Sequence, residues 1–324
     1  MKNFSLVLAG CLGGAWLSGA APVDAAPGPP DSPAGRVIVT VNGRPITAGV
    51  LDVLMVSRRV PEDVRPRVRR RFVEQLVDRR LMQSFLADRK AAASPLELDA
   101  EVRRIRELIH KSGETPEAVL ARLGYTEQTL REELALPLAW RAYTRLLITP
   151  QRLREYFAAH RRRFDGTEIR ASQVFLKAGS DAERAAALER LRVLRDEIAA
   201  GNRSFADAAR EHSAAPSAAA GGDVGWFPFR GRMPGEFSRV AFGLKAGEVS
   251  EPFVTAFGVH LATVTGEKPG DLSLEDVRRD VFAALSEELW DQIVAEQRAS
   301  AKIEWRIELD DAAALDDASP NEPR

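Results

Sequence analysis

The stretch Ile169-Arg-Ala-Ser-Gln-Val-Phe-Leu-Lys177 decides the fold. It reads as a strand, and it begins just after Gly166, where the texture of the chain changes from helical to mixed. Working forward, Asp181 to Ala200 predicts a long helix closed by Gly201-Asn202. Ser204-Phe-Ala-Asp207 opens a short helix that ends near His212, and a loose Ala/Ser/Pro/Gly loop follows to Gly222. Val224 to Phe227 is a short strand, Pro234 to Phe242 a short helix, and Pro252 to Thr255 with Gly258 to Thr265 a final hairpin. The order β-α-α-β-α-β-β within about a hundred residues predicts an α+β domain on a small antiparallel sheet.

Working backward, residues 36–164 read as mainly helical. Arg36 to Val41 is a strand followed by an Asn42-Gly43 turn, and Thr47 is placed to cap a helix from Ala48. Pro66 opens a helix whose apolar positions Val68, Phe72, Val73, Leu76, Val77 and Leu81 fall at three- and four-residue steps. Ser94-Pro95-Leu96-Glu97 has the form of a capping box, and its helix runs to about Gly113. Further helices start at Thr115-Pro116 (ending at Gly124), at Thr126 (with a kink or break expected at Pro137) and at Thr149-Pro150 (reaching about Phe164). Beyond the α+β segment 165–268, residues 269–310 read as a helix capped by Ser273 and a strand in which Ile303, Trp305, Ile307 and Leu309 alternate. The natural partner of that strand is Val37 to Val41, which makes the α+β unit an insertion in one helical domain. Residues 311–324 read as a disordered acidic tail.

The chain has 324 residues, enough for two domains. Its 46 basic and 47 acidic residues nearly cancel, so a nucleic-acid partner has no electrostatic support. The basic run Arg65 to Arg71 and the acidic run Asp310 to Asp317 read as solvated surface. One cysteine, Cys11, excludes a disulfide framework and a cysteine-based metal site. The histidines at 110, 160, 212 and 260 have no metal-ligand spacing, so no metal and no cofactor is expected. Residues 1–25 combine Lys2, an uncharged apolar run and small residues at Ser18-Gly19-Ala20 and Val23-Asp24-Ala25, the pattern of a secretory signal, with a linker at 26–35. Leu8-Ala9-Gly10-Cys11 resembles a bacterial lipobox, which would make Cys11 a lipid anchor and the one link to a membrane. Either route predicts export to the periplasm or cell envelope.

Five strings then fall in order: Ile169 to Lys177, Ser204-Phe-Ala-Asp-Ala-Ala-Arg-Glu-His-Ser213, Gly221-Gly-Asp-Val-Gly-Trp-Phe227, Phe242-Gly-Leu-Lys-Ala-Gly-Glu-Val-Ser-Glu-Pro252 and Phe257-Gly-Val-His260. In this order and spacing they resemble the parvulin (PpiC-like) peptidyl-prolyl cis-trans isomerases. The flanks, Val39-Thr-Val-Asn-Gly-Arg-Pro-Ile-Thr47 and the late helix, resemble the SurA-like chaperone arrangement. The resemblance implies a proline pocket of Met233, Phe237 and Phe257 and a catalytic group of His260, Gln173 and Thr255. The same apolar side chains also suit ordinary core packing, and His260 suits a purely structural place in a hydrogen-bond network. Two positions depart from the family pattern. Gln173 stands where a histidine is usual, and Ala215 where Asp or Cys is usual. Glutamine exchanges hydrogen bonds without titrating, and alanine does neither.

The implied activity is a prolyl isomerase and foldase acting on unfolded or extended polypeptides that contain X-Pro bonds. The altered positions favour a second reading, a holdase with a weakened isomerase domain, and a third reading is a dedicated assembly partner of one envelope protein. A serine hydrolase is excluded, since His212-Ser213 has no triad geometry and no GxSxG elbow exists. Gly221-Gly222 lacks the Lys-Ser/Thr of a phosphate loop.

Overall fold

The computed structural model describes residues 35–122 and 126–306. The leader, Cys11, the end of the helix expected at Gly124 and the acidic tail lie outside them. Two compact units form among the described residues, one from 35–150 with 282–306 and the other from 151–281. The second is inserted in the chain of the first.

In the first unit, β1 (Val37–Val41) and β2 (Arg44–Thr47) form a hairpin. Its turn residues Asn42 and Gly43 have φ of 51° and 79°, the paired left-handed conformations that a two-residue hairpin demands. The strand β7 (Ile303–Trp305) pairs with the other side of β1, placing Ile303 opposite Val41 and Trp305 opposite Val39. The helices α1 (Ala48–Ser57), α2 (Arg65–Asp88), α3 (Pro95–Lys111), α4 (Pro116–Arg122) and α5 (Glu127–Leu147) follow β2. Ile38, Leu51, Leu54, Val73, Leu76 and Leu81 form one core with the sheet. Val102, Ile105, Ile109, Leu130 and Leu134 form another between α3, α4 and α5. The helix α11 (Leu274–Ser300), bent at Val277, begins in the second unit and ends in the first, where Arg298 bonds Glu74 at 2.7 Å and Asp78 at 2.5 Å.

Four local expectations differ in the structure. Ser94 stands at the N-cap of α3 without a side-chain bond, and the Glu97 carboxylate lies 3.9 Å from Arg145. Thr47 precedes α1 without capping it, since its side chain is buried beside the β1–β2 ladder. The helix α5 runs unbroken through Pro137, where buried Leu134, Leu136, Leu138 and Trp140 hold it on both sides. The helix from Pro150 stops at Ala159, His160 leaves helical geometry, and α7 (Arg161–Phe164) follows α6 (Pro150–Ala159) as a separate turn. The segment 151–164 belongs with the second unit, to which Arg162 ties it through the carbonyls of Phe242 and Leu244 and the carboxylate of Glu267.

The second unit carries β3 (Glu168–Leu176), α8 (Asp181–Ala199), α9 (Phe205–His212), a 3-10 turn at Ala218–Ala220, β4 (Asp223–Pro228), α10 (Gly235–Ala241), β5 (Phe253–Thr255) and β6 (Gly258–Lys268). The strands form an antiparallel sheet in the order β4-β3-β6-β5. The helix α8 opens on a capping box in which Ser180 and Glu183 satisfy each other's backbone amides, and Ser204 caps α9. Side chains alternate across the sheet. Val174, Val259 and Leu261 face α8 and α9, burying Ala187, Leu191, Leu194, Ala208 and Ala209. Ile169, Ala171, Ala262 and Val264 face the other way, against Phe227, Phe237, Ala241 and Phe242. Gln173, Phe175 and His260 share this second face by the two-residue period of β3 and β6.

Gly222 fixes the loop before β4 to β3. Its carbonyl accepts from the Gln173 amide at 2.9 Å, and a Cβ on it would lie 2.3 Å from the Gln173 carbonyl oxygen. Its φ of 85° adds strain for any side chain. Gly222→Ala is therefore expected to destabilise the inserted unit by at least about 2 kcal/mol. Urea unfolding of this variant beside wild type checks this.

Candidate functional site

The register of the sheet assembles the site. Phe175 on β3 lies directly opposite His260 on β6, and Phe253 on β5 lies opposite His260 from the other side. Three aromatic rings surround the imidazole. Phe253 stacks on it at 5.5 Å and 19°, Phe175 lies 4.8 Å away at 30°, and Phe237 of α10 meets it edge-on at 5.7 Å. His260 is 6% exposed.

Burial pushes the His260 pKa down to about 4, because the charged ring would lose its hydration among these aromatics. The imidazole is neutral near pH 7, so one ring nitrogen donates and the other accepts. Its Nε2 lies 2.8 Å from Thr255 Oγ1 and its Nδ1 lies 3.0 Å from Gln173 Oε1. Thr255 Oγ1 also accepts the Phe257 amide at 3.1 Å. A single direction satisfies these atoms: the Phe257 N–H donates to Thr255, the Thr255 hydroxyl donates to Nε2, and Nδ1–H donates to Gln173. The glutamine amide NH2 is then left for other acceptors.

The structure thus gathers Gln173, Thr255 and Phe237 around the imidazole of His260. Phe237 is fully buried, whereas Phe257 is 62% exposed and stands at the surface next to the Thr255 bond. Met233 is partly buried against the cluster that contains Phe237, Phe253 and Val224. Ala215 is buried, and its amide bonds Ser213 Oγ at 3.2 Å. Ser213 Oγ also accepts the Phe175 amide, and the Ala214 amide donates to the Phe175 carbonyl, so the loop is pinned beside the site by the Ser213 hydroxyl and one backbone bond. His212 is held between Arg190 and Arg203, each 3.2 Å from a ring nitrogen.

Sequence reasoning missed Phe175 and Phe253. Both were legible from period two: Phe175 is two residues past Gln173, and Phe253 two before Thr255. Among the described residues, no cluster of three or more histidine, cysteine or acidic side chains is placed to hold a metal.

Residues 174–266 match the family described as Rotamase: PPIC-type PPIASE domain, and they are a domain of that family. The chain is similar to the chaperone SurA of Albidiferax ferrireducens, 37% identical over 126 residues that make up 39% of this chain and 27% of that protein. It is also similar to the foldase protein PrsA of Bacillus subtilis, 28% identical over 230 residues, 71% of this chain and 72% of the relative. The chain thus spans less than a third of the SurA protein it matches. A crystal structure of the peptidylprolyl isomerase PrsA from Bacillus anthracis aligns over 72% of this chain and 99% of its own, at 20% identity and a TM-score of 0.36.

The depressed histidine predicts a pH dependence. Between pH 6.5 and about 4 the unfolded chain binds a proton at residue 260 and the folded one does not. Stability is therefore full above pH 6.5 and falls as pH drops through that window, by up to about 3 kcal/mol. An NMR titration of the His260 ring should give a midpoint near 4, and His260→Phe should remove this part of the acid sensitivity of the inserted unit.

Proposed function

We propose that the protein is a peptidyl-prolyl cis-trans isomerase and foldase that acts on extended X-Pro segments of exported proteins in the cell envelope. The observation that carries this reading is the caged, neutral His260 with its directed bonds to Thr255 and Gln173.

The chemistry asks for little. Turning an X-Pro bond crosses a barrier of roughly 20 kcal/mol and breaks no bond. At the top of the barrier the amide is twisted, its resonance is lost, and its carbonyl is less polar than in either planar form. A dry aromatic site favours that form over the hydrated planar ones, and this difference in binding is the catalysis. Met233, Phe237 and Phe257 supply the apolar grip on the proline ring, with Phe237 as buried floor and Phe257 as exposed rim. Thr255 and Gln173 hold His260 in one tautomer, and the free amide NH2 of Gln173 offers a donor to the client backbone. No titrating acid or base is needed, so the absence of the family's usual titrating groups at Gln173 and Ala215 is compatible with turnover. The helical unit, into which the 230-residue likeness to a foldase extends, holds the client chain, and Cys11 is the candidate lipid attachment point. Among the described residues no helix is long and apolar enough to cross a membrane.

The second reading, a holdase, is favoured by Ala215, which offers no polar side chain at a position where the family usually carries Asp or Cys. A protease-coupled assay on a short Ala-Pro peptide separates the two. Wild type is expected to speed isomerisation. Phe257→Ala, at an exposed position with little cost to folding, should lower kcat/KM roughly tenfold. A wild type with no activity and a Gln173→His variant that gains it would establish the holdase reading instead.

A further inference from the structure

We infer that Arg232 is a positioning residue of the proline site, clamping the segment that presents Met233 onto the edge of the sheet. The inference rests on the reading of Met233 as a wall of that site.

The strand β4 is an edge strand, hydrogen-bonded only to β3 within its sheet. Such an edge leaves alternate backbone carbonyls without a ladder partner. Here Val224 and Trp226 are two residues apart, and the guanidinium of Arg232 donates to both of their carbonyls, Nη2 to Val224 at 3.0 Å and Nη1 to Trp226. Between them Gly225 takes a φ of 75°, and a Cβ there would stand 3.5 Å from Arg232 Nη2. A Cβ there would be in ordinary contact with the guanidinium, so it is the left-handed backbone, not lack of space, that favours glycine between the two acceptors. A planar fork spans two carbonyls in a way that the point charge of an ammonium cannot.

Arg232 is itself exposed, so these bonds are not a by-product of burial. They reach back across the turn Phe229 to Pro234, where Gly231 has a φ of 96° and open space around it. Met233, the next residue, is only partly buried and long in side chain, so its place depends on its backbone being held. Val224, whose carbonyl is one of the two acceptors, packs on the same cluster as Met233. The clamp therefore ties the segment carrying Met233 to the strand carrying Val224, which packs on the same cluster.

The test uses the full chain and succinyl-Ala-Ala-Pro-Phe with its Glu-Pro and Lys-Pro analogues. Arg232→Ala is expected to raise KM roughly tenfold on all three peptides with kcat nearly unchanged, because a misplaced wall weakens uniform binding. The thermal midpoint should hold. The sequence has four methionines, so 13C-methyl NMR reads Met233 directly, and in Arg232→Ala its sharp signal should move towards the averaged position of a mobile side chain. Arg232→Lys keeps the charge and should behave like Arg232→Ala. Recovery of wild-type KM by lysine, an effect confined to the Glu-Pro peptide, or an unmoved Met233 signal would each overturn the inference. Met233→Ala with an unchanged KM would instead refute the reading of the pocket, while the methyl spectrum still reads the clamp.

Discussion

The pairing of β3 with β6 is the constraint on which the inserted unit depends. It sets Phe175 against His260 and Gln173 against Ala262, and it gives the sheet two unlike faces. One face is aliphatic and is sealed by α8 and α9. The other grades from aliphatic at Ile169 and Val264 to aromatic and polar at Phe175 and His260. A slip of one residue would carry Gln173 and His260 into the helix-covered side, where neither would find its partner, and Val174 and Leu261 into the site. Gly222 guards that register from outside, since its close approach to the Gln173 backbone leaves no space for a side chain.

The electrostatics of the site follow from this packing. Three aromatic rings remove water from His260 and supply no charge in its place, so the ring stays neutral. A neutral imidazole with both nitrogens engaged is a rigid spacer between Thr255 and Gln173. Its value on the proposed function lies in direction: it sets which end of the Gln173 amide is committed and which is offered. A glutamine serves in such a chain as well as a histidine would, because it both accepts and donates while remaining uncharged. The departure at residue 173 thus preserves the hydrogen-bond pattern and removes a titration.

Much of this was legible in the sequence, and the reasons differ by element. The hairpin around Asn42-Gly43 and the capped start of α8 are local, decided by residues within a few positions of one another. The pairing of β7 with β1 was legible because the sequence reading left these two strands without other mates, although β2 takes the second side of β1. Ser94 and Pro137 both behave differently from their local preference. The buried leucines and Trp140 around Pro137 hold a helix that proline alone would weaken, whereas the absent Ser94 cap bond has no structural explanation. At the site, Thr255 beside His260 was readable from the short hairpin. The third member of the chain, Gln173, lies 87 residues from His260 and entered through family resemblance alone. The aromatic cage was missed because Phe175 and Phe253 are ordinary strand residues until the register places them around one ring.

The contrast between Phe237 and Phe257 shows how stability and function divide within one aromatic set. Phe237 is wholly buried, in contact with Phe227, Phe253 and His260, so its ring belongs to the core as much as to any pocket. Removing it would open a cavity costing about 3 to 5 kcal/mol, enough to blur any effect on a client with loss of the fold. Phe257 sits two residues past Thr255 with most of its surface in water, and its backbone amide, not its ring, joins the His260 chain. An exposed phenylalanine contributes little to folding, yet its backbone position is fixed by a hydrogen bond that leads to the imidazole. That combination, a ring free to meet a client on a backbone that is not free to move, is what a site gripping a proline ring needs.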